Sequence, residues 1–443
     1  MTPQDLFSAA VDHHRAGRLD EAGALYRRIL VFDPQQVAVW NHLGLASRTE
    51  RAIGRALRLA PALAEGHSNL AALLRASGAV ERAVESLRRA AVLQPALAAP
   101  LNNLGALERE RGRIGPAAEL FGRAAILSPG NPDIQCNLGA ALLQRGDYAE
   151  GWRRHEWRLH PQAQNAPAPR SFPQPCWQGE DLAGRTILLH AEQGLGDTLQ
   201  FIRFAAPIAA LGARVVVEAP ASLTRLLETA PGVTEVHPAG ERLPAFDFHL
   251  PLMSAPHRLG VTLETLPAET PYLRAPADRA EAWRERLSNW PGVKVGLVWT
   301  GNPALKLAWS ADANARRSIP PERLGPLFDI PGVTFFSLQK DESVPEAIDF
   351  MGEMEDFADT AALVEALDLV ISVDTSVAHL AGALNKPVWI LSRFDGCWRW
   401  LGHRADSPWY PSARLFHQPG KDDWTPVVEK ISTALFEMMK KTH

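Results

Sequence analysis

A chain of 443 residues is too long for one hydrophobic core, and its length predicts about three domains. Its composition, 46% hydrophobic and 22% charged, is ordinary for a soluble globular protein; because the opening MTPQDLFSAA lacks a signal-peptide pattern and no run reaches about 18 apolar residues, we expect a cytoplasmic protein without a membrane span. A net charge of -4 gives no broad basic surface for nucleic acid, and three cysteines outside any CxxC spacing argue against a disulfide framework or a structural zinc site.

The first third of the chain repeats itself every 34 residues. This period is kept by prolines, asparagines and glycines: Pro61, Pro95 and Pro129; Asn69, Asn103 and Asn137; Gly78, Gly112 and Gly146. Between them, apolar residues recur at helical spacing, with a glycine in the middle of each repeat and a proline at its end. A period of about 34 residues predicts tetratricopeptide hairpins of two helices, which stack into an α-solenoid.

The second repeat is irregular. Pro34 and Pro61 are only 27 residues apart, and the missing residues fall between Gly44 and Pro61. The sequence therefore predicts a shortened hairpin at this point. His42 takes the place that asparagine holds in the later repeats.

Asn69, Asn103 and Asn137 occupy equivalent places, in SNLA, NNLG and CNLG. These residues resemble the tetratricopeptide family, and more narrowly the arrays attached to O-GlcNAc transferases, in which asparagines at this place form a ladder along the concave surface. A carboxamide donates and accepts, so such a ladder would clamp the backbone of an extended polypeptide. The resemblance implies that the three asparagines bind a protein acceptor; the alternative is that they satisfy neighbouring helix backbones.

The array ends in DYAEGWRRHEWRL, residues 147–159, whose aromatic and charged residues are typical of a capping helix. Residues 161–176 follow, rich in Pro, Ala and Gln and without periodicity, which predicts a semi-rigid linker. We therefore assign residues 1–160 to the repeats and residues 161–176 to the linker.

After the linker, the pattern changes to alternating strands and helices. A buried strand at 187–191, a helix at 198–211 and a strand at 215–218 form one βαβ unit, which requires a parallel sheet. Similar units follow a helix at 277–289. The sequence predicts a first lobe at 177–275, a second at 276–443, and a C-terminal helix at 427–441 that returns to the first lobe.

The first βα loop contains Gly194 and Gly196, but Leu199 stands where the dinucleotide fingerprint GxGxxG needs its third glycine. No GxxxxGKS or GxxxxGKT phosphate loop occurs. Both observations argue against a nicotinamide dehydrogenase and an ATPase. Asp197 follows the loop, at the carboxyl end of the strand where open α/β sheets place their ligands.

Three segments carry a resemblance: GLGDTLQFIRFAAPI from Gly194, RRSIPPERL from Arg316 and DLVISVDTSVAHLAGALNKPV from Asp368. Residues 177–420 resemble bacterial glycosyltransferases of the heptosyltransferase-related type, which implies a GT-B fold of two Rossmann-like lobes. With the repeats, the whole chain is similar to tetratricopeptide glycosyltransferases that modify flagellin and other proteins.

In VDTSVAHLAGA, Asp374 ends a strand, Thr375 and Ser376 begin a helix, and His379 lies in its first turns. Unpaired N–H groups and the helix dipole make this terminus an anion site, suited to the phosphate of a nucleotide sugar. The resemblance favours ligand binding by these residues; the alternative is a capped helix with a packed histidine.

Other residues are candidates for the same donor site. Arg316 or Arg317 would supply a fork-shaped cation for phosphate, and the resemblance places a basic residue at about this point; a solvated surface pair is the alternative. Gln339 and Lys340 end one predicted strand at the cleft side, and Trp299 ends another. We assign all five, with Gly194 and Gly196, to nucleotide-sugar binding.

An inverting transfer needs a base to take the proton of the acceptor hydroxyl. The resemblance implies that Asp197 is this base, because heptosyltransferases use the aspartate of their Gly-Asp pair. Its alternative role is to cap the following helix, and Glu192 and His190 are nearby substitutes. No DxD triplet occurs, so we expect neither a metal nor another cofactor.

The segment from Gly396 to Phe416 is dense in aromatic residues. Trp398, Trp400, Trp409 and Tyr410 are more simply explained by packing than by a sugar-binding wall. Cys397 precedes the first tryptophan, where relatives often carry an aspartate.

These observations predict an inverting glycosyltransferase that moves a sugar from a nucleotide-sugar donor to Ser or Thr of a protein recruited by the repeats, with flagellin as a candidate acceptor. Transfer to a lipid-linked saccharide is a second interpretation, which the repeats disfavour. A non-catalytic repeat scaffold is the third.

Overall fold

The computed structural model describes residues 2–301, 314–402 and 404–442. The chain divides into two compact units, Met1–Ala141 and Leu142–His443. This boundary lies inside the helix Pro132–Arg145. It comes before residue 160, where the sequence predicts the end of the repeats.

The first unit is helical, and the second contains two parallel sheets with helices between the strands. This arrangement confirms the predicted fold class.

The first unit consists of helical hairpins. Its helices are α1 (Pro3–Arg15), α2 (Leu19–Phe32), α3 (Val37–Ala46), α4 (Glu50–Leu59), α5 (Ala64–Ala76), α6 (Val80–Leu93), α7 (Ala98–Glu110), α8 (Ile114–Leu127) and α9 (Pro132–Arg145), the last of which continues into the second unit. The helices of the second hairpin, α3 and α4, have 10 residues each, whereas α1 has 13 and α2 has 14. This is the shortened hairpin that the 27-residue spacing predicts.

A residue in the left-handed region ends the first helix of each hairpin. Gly17, Gly78 and Gly112 have φ of 74°, 79° and 72°, which glycine adopts without a Cβ clash. In the short hairpin, Arg48 takes this place at a φ of 50°. The short hairpin therefore lacks the glycine that the other turns use.

Close packing explains the small residue that follows Asn-Leu in the repeats. Phe121 of α8 is fully buried, and a Cβ on Gly105 of α7 would lie 2.9 Å from its ring. In the short hairpin, a Cβ on Gly44 would meet the Ile53 side chain at 2.3 Å. The two helices of each hairpin approach too closely for a larger side chain here.

The second unit contains α10 (Tyr148–His155) and two parallel sheets, which we call the first and second lobes. The first-lobe sheet has the order β3-β2-β1-β4 and comprises β1 (Thr186–His190), β2 (Arg214–Ala219), β3 (Val233–Pro238) and β4 (Phe248–Pro251). The second-lobe sheet has the order β10-β9-β8-β5-β6-β7 and comprises β5 (Val293–Val298), β6 (Val333–Ser337), β7 (Ile348–Asp349), β8 (Leu369–Val373), β9 (Val388–Ser392) and β10 (Ala413–His417).

The helices of this unit are α11 (Leu195–Phe201), α12 (Ala205–Ala209), α13 (Thr224–Leu227), α14 (Ala255–Arg258), α15 (Ala277–Leu287), α16 (Gly325–Phe328), α17 (Phe357–Ala366), α18 (Ser376–Ala383) and α19 (Thr425–Thr442). The single helix expected at 198–211 is instead α11, a 3₁₀ turn at Ile202–Phe204 and α12. Pro207 lies in this stretch and has no N–H for a continuous helix.

The helix α10 packs into the second unit. Tyr148 and Trp152 are 2% and 1% exposed, within the same hydrophobic core as β1 and β2. The Trp152 ring lies edge-on to Phe201 at 6.0 Å and to Trp398 at 5.3 Å. The helix expected to cap the array thus contributes its aromatic residues to the two-lobed unit.

The end of the Pro-rich segment runs along the first-lobe sheet. The Trp177 N–H donates to the His249 carbonyl at 2.9 Å, and the His249 N–H donates to the Pro175 carbonyl at 3.1 Å. Residues 175–177 therefore cover the edge of β4.

Polar contacts join the two lobes. Arg203 of the first lobe, 4% exposed, donates to the Trp409 carbonyl of the second lobe at 2.9 Å. Its guanidinium also lies 4.9 Å from the centroid of the Tyr410 ring. On another side, Arg225 pairs with Asp356 at 2.6 Å.

The C-terminal helix α19 buries Val427, Ile431 and Leu435 in the core of the second lobe. These residues share that core with residues of β5 and β8. The return of this helix to the first lobe stays a prediction.

Candidate functional site

The candidate site lies where two helices from opposite lobes meet. The helix α11 follows β1 of the first lobe, and α18 follows β8 of the second. A Cβ on Gly196 would lie 2.9 Å from His379 Cδ2 and 3.3 Å from Ser376 Cα. Only glycine permits this approach, so Gly196 brings the amino-terminal turns of the two helices together.

Asp197, the expected base, lies in the first turn of α11. One carboxylate oxygen accepts the Gly194 N–H at 3.0 Å, which satisfies a backbone donor at the helix start. The other accepts from the Arg399 guanidinium of the second lobe. The Asp197 side chain is 20% exposed. The capping role is therefore present, together with a cation that the sequence analysis did not identify.

The two alternative bases, Glu192 and His190, both have hydrogen-bond partners within the protein. Glu192 accepts from Arg158 at 2.7 and 3.1 Å and from the Met253 N–H at 3.1 Å. The His190 Nε2 lies 3.2 Å from His249 Nδ1, and burial lowers the pKa of His190 to about 3. Asp197 is the better placed of the three to face a ligand.

The backbone N–H groups at the amino terminus of α18 have no side-chain cap. Its N-cap residue, Thr375, makes no side-chain hydrogen bond to the helix backbone, since its hydroxyl lies 3.0 Å from Ser372 Oγ. The first N–H groups of α18 therefore lack a side-chain cap, as an anion site requires. Ser376 is half-buried at the first position of the helix.

Three arginines, Arg317, Arg399 and Arg393, act electrostatically on Asp374, which lies just before this terminus. Arg317 donates to the Asp374 carbonyl at 2.9 Å, while Arg316 and Arg393 both pair with Asp395, at 2.5 and 2.8 Å. Burial alone would raise the pKa of Asp374, but His379 and the guanidinium groups of Arg317, Arg399 and Arg393 lower it below its ordinary value. The arginines therefore favour the ionised form of Asp374.

Of the other expected donor-site residues, Trp299 and Gln339 are packed inside the second lobe. Trp299 is fully buried in its core. Gln339 is 5% exposed, accepts the Thr300 N–H at 3.1 Å and donates to the Lys340 carbonyl at 3.2 Å. The Lys340 side chain is exposed. Their assignment to the donor site stays a prediction.

His379 is 4% exposed and neutral. Its Nδ1 lies 2.9 Å from the Tyr410 hydroxyl, and its ring stacks on Trp400 at 5.4 Å. Burial lowers the pKa of His379 to about 3. Its Cδ2 lies close to Gly196 of α11, since a Cβ there would approach it to 2.9 Å.

This burial predicts a pH dependence of stability. Below about pH 6.5 the unfolded chain gains a proton at His379 that the folded chain does not bind until about pH 3, so stability falls as the pH falls through this range. The free energy of unfolding should therefore fall by up to about 1.4 kcal/mol per pH unit because of His379, and His379→Gln should remove this contribution. Urea titrations of the full-length protein at pH 7 and pH 5, followed through the unfolding of the second unit, measure this difference. His67→Gln, in the first unit, is the control. Identical pH dependence in His379→Gln and the wild type would contradict the prediction.

Two of the three predicted ladder asparagines, Asn69 and Asn137, donate to an asparagine of an earlier helix. Asn69 Nδ2 donates to Asn41 Oδ1 at 3.1 Å, and Asn137 Nδ2 donates to Asn102 Oδ1 at 3.0 Å. In each case the acceptor directly precedes a ladder position: Asn41 precedes His42, and Asn102 precedes Asn103. Asn103 is exposed. Asn41 and Asn102 were missed, although the pairs Asn41-His42 and Asn102-Asn103 mark them in the sequence.

His42, at the ladder position of the short repeat, is packed. Its ring stacks on Tyr26 at 5.7 Å, and burial lowers its pKa. The ladder is therefore interrupted at this repeat.

The aromatic segment after β9 serves packing. Trp400, Trp409 and Tyr410 are fully buried, and Trp398 is half-buried. Cys397 Sγ accepts from Arg399 Nη1 at 3.4 Å, and burial raises the pKa of the thiol. A groove of about 730 Å³ between β10 and α19 is lined by none of the expected site residues.

Within the described ranges, no group of His, Cys, Asp or Glu has an arrangement that would hold a metal ion. No helix in the same ranges has both the length and the apolar character needed to span a bilayer.

Residues 340–391 match the model of glycosyltransferase family 9 (heptosyltransferase). This segment contains β8, Asp374 and α18. Over 330 residues the chain is 30% identical to Protein FlbA of Caulobacter vibrioides, in an alignment that covers 66% of this chain and 53% of FlbA. The chain thus spans about half the length of this curated relative. The expected resemblance to heptosyltransferase-like glycosyltransferases is confirmed.

Solved repeat proteins show weaker likeness. MamA is 20% identical with a TM-score of 0.31 and covers 36% of this chain and 90% of its own. Pseudomonas aeruginosa pilF is 19% identical with a TM-score of 0.34 and covers 37% and 78%. A thermophilic tetratricopeptide protein of Thermus thermophilus, TTC0263, is 21% identical with a TM-score of 0.31 and covers 36% and 92%.

Proposed function

We propose that this protein is an inverting, metal-independent glycosyltransferase that moves a sugar from a nucleotide-sugar donor to Ser or Thr of a protein acceptor held by the repeats. The observation that carries the proposal is the meeting of Asp197 with the arginine-lined terminus of α18. A base and an anion site then lie on facing lobes, as transfer between two substrates requires.

The donor is held by its phosphate. The uncapped N–H groups of α18 and the guanidinium of Arg317 bind the phosphate oxygens, and the helix dipole favours their negative charge. Arg316, fixed by Asp395, adds a second fork-shaped cation. These charges stabilise the nucleotide phosphate as it leaves, which is the task that a divalent metal performs in other enzymes.

The chemical step is a displacement at the anomeric carbon. The acceptor hydroxyl oxygen forms the new bond to this carbon, while the bond to the phosphate oxygen breaks and leaves its electron pair on the phosphate. Asp197 takes the hydroxyl proton and later passes it to water. Attack from the face opposite the leaving group inverts the configuration.

The acceptor is an extended polypeptide, for which flagellin is a candidate. The carboxamides of Asn69, Asn103 and Asn137 bind its backbone, so that recognition depends little on acceptor side chains. The donor is a soluble metabolite, and we place the reaction in the cytoplasm. Transfer to a lipid-linked saccharide leaves the repeats without a role.

Donor binding without a metal tests this proposal. We expect calorimetry to give the same affinity for nucleoside mono- or diphosphates and their sugar conjugates in EDTA and in Mg²⁺. We expect Arg317→Met to weaken this binding about 10-fold or more, which is the effect of losing one charge-assisted pair. Arg404→Met is the control, because Arg404 pairs with exposed Asp406. Binding that requires Mg²⁺, or that Arg317→Met leaves unchanged, would contradict the proposed donor site.

A further inference from the structure

Arg399 joins the two lobes at the candidate base. It lies in the turn Trp398–Trp400 of the second lobe, pairs with Asp197 of the first, and donates from Nε to Gln200 Oε1 at 2.7 Å. The Arg399 and Asp197 side chains are 12% and 20% exposed. The ion pair is therefore largely shielded from water, where its two charges act on each other more strongly than at the surface.

The position of this guanidinium is fixed from several sides. It lies 4.2 Å from the centroid of the Trp398 ring, and Trp398 is held edge-on by Trp152 of α10 at 5.3 Å. Gln200 is fully buried. A planar cation held by a ring, a carboxamide and a carboxylate has little freedom to turn away.

The same guanidinium also acts on the anion site. Burial works against its charge, yet Asp197 and, more weakly, Asp374 raise the pKa of Arg399 above its ordinary value. Arg399 is therefore always charged and lies within electrostatic reach of the carboxylates of both lobes. The first turn of α11, which carries Asp197, also meets the first turn of α18 at Gly196, so the guanidinium that pairs with Asp197 lies beside the place where the two helix termini meet.

We propose, on the basis of the proposed function, that Arg399 is a positioning residue that first aligns the Asp197 carboxylate for the acceptor hydroxyl and then transfers its electrostatic support to the departing phosphate. When the hydroxyl proton reaches Asp197, the carboxylate loses its charge. At the same moment the phosphate gains the electron pair of the broken bond. The fixed positive charge of Arg399 is no longer neutralised by Asp197 and stabilises the new anion without moving.

Variants of Arg399 separate this role from simple packing. We expect Arg399→Met, which keeps most of the side-chain volume, to lower kcat about 100- to 1000-fold, the effect of losing one preorganised group at a developing charge, with little change in the acceptor KM. Arg399→Lys keeps the charge without the fork and should recover part of the loss. Arg399→Ala should regain activity with millimolar guanidinium ion, which would fill the vacated place beside Asp197. Arg185→Met is the control, because Arg185 lies before β1, away from the carboxyl ends of the strands.

The outcomes are distinct. A kcat loss in Arg399→Met with guanidinium rescue of Arg399→Ala supports the proposal. Wild-type kcat in Arg399→Met, or a loss of melting temperature with full kcat in the folded protein, overturns it and leaves Arg399 as an interlobe contact only. A wild-type protein that neither transfers nor hydrolyses any nucleotide sugar overturns the proposed function itself, and this inference with it.

Discussion

Asp197→Asn is expected to lower the rate of sugar transfer about 10²- to 10⁴-fold, the usual contribution of a general base. The amide keeps an oxygen for the Gly194 N–H, so the first turn of α11 stays capped. It cannot take the acceptor proton, and it cannot neutralise Arg399. Initial rates with a sugar nucleotide and an acceptor protein measure the effect, and a thermal melt checks that the protein is folded.

Asp181→Asn is the matched control. The Asp181 carboxylate also accepts a backbone N–H, that of Ala183 at 3.0 Å, but it is exposed and lies before β1. We expect full activity in this variant. Transfer by Asp197→Asn at a rate close to that of the wild type would assign Asp197 to helix capping alone.

Removing residues 2–131 is expected to reduce modification of a protein acceptor about 10²- to 10⁴-fold, since a tethered acceptor gains this much from its effective concentration. Hydrolysis of the donor by water should continue, because α9, α10 and both lobes are retained. Mass spectrometry of the acceptor and chromatography of the released sugar measure the two activities separately.

A longer truncation, of residues 2–160, provides the contrast. It removes Tyr148 and Trp152, which are buried in the core of the second unit, and losing one such aromatic side chain costs about 3–5 kcal/mol. We expect this protein to be unstable and inactive even in donor hydrolysis. Equal stability of the two truncated proteins, or normal acceptor modification by the shorter truncation, would contradict the assigned roles of α10 and the array.

Periodic and local features were predictable from the sequence. The 34-residue spacing identifies the hairpins because each repeat must bury its apolar face on the next. The strand before Asp374 and the helix after it are recognisable because a continuous apolar run is followed by Thr375 and Ser376. The family match covers this same segment.

Contacts between distant parts of the chain were not predictable. Arg399 and Asp197 are 202 residues apart in the sequence, and no local pattern predicts that they pair. The burial of Trp152 in the second unit was not predictable for the same reason. The spacing of an aromatic residue on an amphipathic helix shows that it is buried, but not in which core. Nor does the position of Trp299 at the end of a predicted strand show that its ring is buried in the core of the second lobe.

The proposed function requires that Asp197 and the terminus of α18 that faces it together transfer a sugar to a polypeptide. The most direct test is the intact mass of candidate acceptor proteins, flagellin among them, isolated from cells that contain the wild-type protein, Asp197→Asn, or neither. We predict an acceptor whose mass is larger by one or more sugar residues only in cells with the wild-type protein. Acceptor masses that are the same in all three cultures, or a sugar that persists with Asp197→Asn, would contradict it.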